Sequence, residues 1–107
     1  MTPETAAKTD ALIAELWQRH LPTLKERLDI LDQIAASAAS GTLSEADREQ
    51  GASISHKFAG SLGMYGYQRG TEIAMQIEQI YRTLPVSQLQ LLSPLTHQLR
   101  QSIFPNS

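Results

Sequence analysis

The chain has 107 residues, 41% of them hydrophobic, which suits one domain around a modest core and argues against disorder. Nine basic and eleven acidic residues leave a net charge of −2, so no basic face points to nucleic acid. The absence of cysteine excludes disulfides, thiolate metal sites and thiol chemistry. Met1–Thr5 lacks the basic region and apolar run of a secretory signal. No window approaches the ~20 apolar residues of a membrane span. The expectation is a cytoplasmic monomer with no membrane contact and no cofactor of its own.

No segment of useful length alternates apolar and polar residues, and alanine, leucine, glutamine and glutamate dominate; the fold class is all-α. Thr2 as N-cap and Pro3 at the first helical position open the first helix. Ile13, Leu16, Trp17 and His20 follow helical spacing and share a face. Pro22 breaks or kinks this run. A second helix carries Leu24, Leu28, Leu31, Ile34, Ala35 and Ala38 on one face, with Lys25, Glu26, Arg27, Asp29 and Asp32 solvated, and stops at Gly41. Either Thr42, with Glu45 at capping-box spacing, or Ser44 caps the central helix. That helix runs through His56 to about Tyr65 and ends at Gly66. The next starts at Tyr67–Gly70 after a very short turn, so the two pack as an antiparallel hairpin. Ile73, Ala74, Ile77, Ile80, Tyr81 and Leu84 form its buried stripe, and Pro85 ends it. Beyond Ser87, either a short helix precedes one from Pro94 to about Phe104, or a single helix kinks; Leu95, Leu99 and Ile103 pack inward. The sum is an antiparallel four-helix bundle with an additional N-terminal helix, residues 1–107 forming a single domain.

The stretch from Ser55 to Gly66 holds the chemistry. At about 100° per residue, Ile54, Phe58, Ser61, Leu62 and Tyr65 fall on one apolar stripe facing the core. His56 lies roughly opposite. Gly60 and Gly63, at i+4 and i+7, lie beside it, and Ala52 and Ala59 complete a border of small residues. Ser53 and Lys57 flank the other edge. Each glycine inside a helix costs roughly 1 kcal/mol relative to alanine, unless a side chain there would be worse. Bare surroundings on the face away from the core suit a nucleophile that a partner must reach.

His56-x-x-x-Gly60-Ser61, with Gly66 ten residues after the histidine, resembles the signature of the histidine phosphotransfer (HPt) domain family. The resemblance is strongest over residues 44–82. It implies a helical bundle that relays a phosphoryl group between a histidine and a receiver-domain aspartate. By it, His56 is the phosphoacceptor, Gly60 the clearance residue and Lys57 a phosphate neighbour. Many members carry lysine three residues after the histidine; this chain has Ala59 there. The implied partners are a response-regulator receiver domain, a histidine kinase, or both, with Mg2+ in the receiver's own acidic site. The chain then acts as a phosphocarrier, not an enzyme, since no ATP-binding motif is present.

Neutral imidazole is nucleophilic near pH 7, one nitrogen attacking while the other holds a proton. Ser53, a helical turn before Lys57, supplies a further hydrogen bond to the phosphate. Met64 joins an apolar docking patch with Ala52, Ala59, Gly60 and Gly63. Tyr65 packs inward and Tyr67 covers the bundle end. His20 is read as a packing or helix C-terminal residue and His97 as an outward one, and without His-x-x-His spacing no three-histidine metal site is expected. Two alternatives stay open: a helical interaction module that carries no phosphate, and a phosphoacceptor fragment of a larger histidine kinase.

Overall fold

The computed structural model describes residues 3–106, with side chains from Thr9 onward. Helix α1 spans Pro3–Ala39, α2 Glu45–Met64, α3 Gln68–Thr83 and α4 Leu92–Ile103, with a 3₁₀ segment at Val86–Leu91 before the last. No strand occurs among the described residues. Thr2, expected to cap α1, lies outside them. No helix among them is long and apolar enough to cross a membrane.

The expected break at Pro22 is not made, and the additional N-terminal helix is the first half of α1. Proline removes one helical N–H and crowds the carbonyl four residues earlier. Pro22 is exposed, so the bond it forfeits opens towards water and not into the core. The molecule measures 54 × 23 × 23 Å. Its long dimension matches a 37-residue helix at about 1.5 Å per residue. Leu24, Leu28, Leu31, Ile34 and Ala35 of α1 are buried, whereas Leu12, Ile13 and Leu16 are exposed. The C-terminal half of α1 therefore belongs to the bundle, and the N-terminal half overhangs it.

Two glycines stop helices by the same device. Gly41 (φ +76°) and Gly66 (φ +83°) adopt the left-handed conformation that other residues resist. After α1, Thr42 N–H donates to the Ser37 carbonyl (2.9 Å) and Gly41 N–H to Ala38 (3.3 Å). After α2, Tyr67 N–H donates to Leu62 (2.8 Å) and Gly66 N–H to Gly63 (3.3 Å). Both are Schellman closures. Thr42 is thus spent on the end of α1. Ser44 caps α2, its Oγ accepting from Asp47 N–H at 3.1 Å. Trp17 then pins α1 to the α2–α3 turn, its ring 4.8 Å from Tyr65 and stacked 4.7 Å from Tyr67.

The buried stripe of α3 holds at Ile73, Ala74, Ile77, Ile80 and Tyr81, but Leu84 is exposed. Pro85 disfavours the right-handed helical conformation in the residue before it, and Leu84 (φ 46°) turns out of the helix. The last helix starts at Leu92, two residues before the expected Pro94. Pro94 is tolerated there because first-turn N–H groups have no helical partner. Leu99 and Ile103 are buried. Arg100 ties α4 to α1, donating to Asp29 (2.8 Å) and Asp32 (2.7 Å), two carboxylates expected to be merely solvated.

α2 and α3 pack tightly at Gly51. A Cβ there would lie 2.8 Å from the ring of Tyr81, which is wholly buried. Tyr81 Oη meets no hydrogen-bonding partner. Gly51→Ala should therefore cost about 1–3 kcal/mol by overpacking. Tyr81→Phe should cost little, since it removes a buried polar atom that makes no bond. Urea unfolding followed by circular dichroism checks both; an unchanged midpoint for Gly51→Ala would refute the tight contact.

Candidate functional site

His56 stands on α2 with 71% of its side chain exposed. It is not isolated, however. Its Nδ1 lies 3.2 and 3.3 Å from the carboxylate oxygens of Glu78 on α3. Beside a carboxylate, Nδ1 carries the proton and donates it, which leaves the lone pair on Nε2. Nε2 is thus the ring nitrogen with a lone pair free to react.

Glu78 also serves Arg82. The Arg82 guanidinium donates to Glu78 Oε2 through Nε and Nη2, both at 2.7 Å. One carboxylate, 16% exposed, therefore binds an imidazole from α2 and a guanidinium from its own helix. Burial pushes the Glu78 carboxyl upward, but hydrogen bonds from Arg82 and His56 outweigh it and hold the group below the usual glutamate value.

The imidazole borders an open depression of about 380 Å³ lined by Arg48, Glu49, Ala52, Ser53, His56 and Arg82. Arg48 is committed elsewhere, to the Glu45 carboxylate and, at 3.1 Å, the Tyr81 carbonyl. Ser53 and Lys57 are exposed on the outer face of α2. Gly60 is bare: a Cβ there would meet nothing within 4 Å. Met64 is 74% exposed and borders a groove with Leu16, Arg19, His20, Ser61 and Tyr65, where α1 leaves the bundle. His97 is exposed on α4.

Two of the small residues are less open than the sequence suggested. Ala52 is only 4% exposed and floors the depression. Ala59 is half-buried, and its carbonyl accepts from Thr71 Oγ1 at 3.3 Å. Gly63 is exposed, and a Cβ there would make only an ordinary contact, 3.5 Å from Thr71 Oγ1. The cause is shared: α3 packs closer to His56 than an apolar stripe opposite the histidine implies. His56, Ser53, Lys57, Gly60, Gly63 and Met64 remain exposed.

Glu78 and Arg82 were missed. At i and i+4 off the apolar stripe, they read as a solvated ion pair. A signal was nevertheless present. Tyr67, at the turn, is eleven residues from both His56 and Glu78, so an antiparallel hairpin sets the two level.

Because the folded Glu78 value lies below the unfolded one, its ties stabilise the fold above the ordinary glutamate range and are lost as pH falls through it. Glu78→Gln should therefore flatten the acid limb of the stability curve. Urea-unfolding free energies between about pH 6 and about pH 3 should fall less steeply in the variant than in the wild type. Parallel limbs would show that the carboxylate holds no such tie.

Among known proteins, Protein RcaC of Microchaete diplosiphon is 32% identical over 68 residues, covering 64% of this chain and 10% of that protein. The chain thus spans about a tenth of this relative's length. No solved structure matches it significantly. The family model described as Hpt domain matches residues 15–103, which take in the bundle, the histidine and both of its newly found neighbours. With an all-helical bundle and an exposed histidine in that span, the chain belongs to the Hpt domain family.

Proposed function

We propose that residues 1–107 work as one phosphocarrier unit that accepts a phosphoryl group on His56 Nε2 from a receiver-domain aspartate and returns it to one. The observation that carries this reading is the division of labour on the imidazole: Nδ1 is tied to Glu78, and Nε2 is left free on an exposed ring. In the forward step Nε2 attacks phosphorus, the N–P bond forms, and the P–O bond to the aspartate breaks. The aspartate leaves as carboxylate. The imidazole then carries a positive charge, shared through its Nδ1 proton with the Glu78 carboxylate. The reverse step breaks N–P and restores the aspartyl phosphate. Mg2+ in the receiver's acidic site neutralises the group in flight.

The open face supplies the rest. Gly60 lets the partner's backbone approach the ring. Ser53 and Lys57 flank the incoming phosphate. Met64 and the groove shared with Leu16 offer the apolar contact on which a receiver docks. A second reading, in which the same acceptor works inside a longer chain, is favoured by the length of the RcaC relative. Kinase or receiver segments in the adjoining coding region would establish it.

Incubation with a phosphorylated receiver, followed by peptide mapping, tests the acceptor. His56→Gln should take no label, and labelling at the wild-type rate would overturn the assignment. Gly60→Leu should keep the helical circular dichroism signal yet slow transfer by about 100-fold, the scale of a small misplacement of reacting groups. Equal transfer by that variant would remove the clearance argument.

A further inference from the structure

Resting on the reading of His56 as acceptor, we propose that Arg82 is the phosphate-binding cation of this chain, standing in from α3 for the lysine absent at Ala59. A phosphoryl group on Nε2 brings close to two negative charges beside Glu78, so the site needs a cation within reach. Ala59 offers none and is half-buried against α3. Lys57 lies a third of a turn around α2 from His56, on the side away from Glu78. Arg48 is held by Glu45 and the Tyr81 carbonyl.

Arg82 differs on each count. It borders the same depression as His56 and Ser53, and 54% of its side chain is exposed. The Glu78 oxygen that accepts from Arg82 is also 3.2 Å from His56 Nδ1, so guanidinium and imidazole are one carboxylate oxygen apart. Nε and Nη2 are engaged; Nη1 has no hydrogen-bonding partner among the described residues. Arg82 can therefore bind phosphate through Nη1 without releasing Glu78, and Glu78 presents it already ordered.

Helix geometry puts the phosphate on the right side. Side chains on a helix lean towards its N-terminus, so the His56 ring tilts over Ala52 and Ser53 and away from Ala59. Since α3 runs antiparallel, Arg82 is set four residues beyond Glu78 in that same direction. The phosphoryl group then sits between Arg82 and the Ser53 hydroxyl, on the opposite side of the histidine from the usual lysine.

The test uses the whole chain, labelled from a phosphorylated receiver. Transfer is measured in both directions, together with the 31P chemical shift of the phosphohistidine. Arg82→Ala should still label His56, but with the forward rate and the equilibrium fraction of phosphohistidine reduced about tenfold. The 31P resonance should move. Arg82→Lys should recover part of the loss, and Lys57→Ala should do less harm than Arg82→Ala. If Arg82→Ala matches the wild type in rate, equilibrium and 31P shift, or if Lys57→Ala does the greater damage, the proposal is overturned while the acceptor stands. If the wild-type chain takes no label at all, the acceptor reading falls and Arg82 falls with it.

Discussion

The arrangement depends on the register between α2 and α3. Leucines and isoleucines alone would let two antiparallel helices slide, because hydrophobic contact has little directionality. Here the register is pinned at both ends. Gly66 closes α2 and restarts the chain within three residues, with the Trp17 ring stacked over the turn. Gly51 receives the Tyr81 ring, so a shift along the axis would drive a phenol into a backbone with no room for it. Between these two points His56 and Glu78 have no freedom to miss each other.

An exposed histidine tied to a neighbouring helix is more than a solvent-facing side chain. A free imidazole rotates and exchanges tautomers, offering either nitrogen to whatever arrives. The Glu78 carboxylate removes that ambiguity by fixing the ring and its proton. The same carboxylate orders Arg82. The fixing of one ring nitrogen and the ordering of a guanidinium therefore share an origin on α3. α2 carries the imidazole, and α3 decides how it is presented.

Much of this was legible in the sequence, because the signals were local. Helical spacing found the buried stripes of α1, α2 and α3, and glycine at the helix ends found the turns. The bare flank at Gly60 followed from i+4 geometry alone. What was not legible involved competition between local preference and tertiary context. Pro22 carries a local cost that an exposed position in a long helix absorbs. Thr42 had capping-box spacing with Glu45, but the end of α1 claimed it first. Ala52 and Ala59 lie near His56 on a helical wheel, yet a wheel does not show how closely the next helix packs. Glu78 and Arg82 were hidden for the same reason: the only pairing their spacing announces is with each other.

Two of the three glycines inside α2, Gly51 and Gly60, show how neighbouring demands differ at the level of single residues. Both weaken the helix by about the same amount, roughly 1 kcal/mol against alanine. At Gly51 that loss is offset by contact with a buried ring that a methyl group would displace. At Gly60 nothing offsets it: no atom would touch a side chain there, and the backbone is ordinary right-handed helix. A residue that costs stability, and that no contact within the protein requires, points outward for its explanation. Gly60 is one turn beyond His56 on the same exposed side of α2, which is where the proposed transfer would bring a partner.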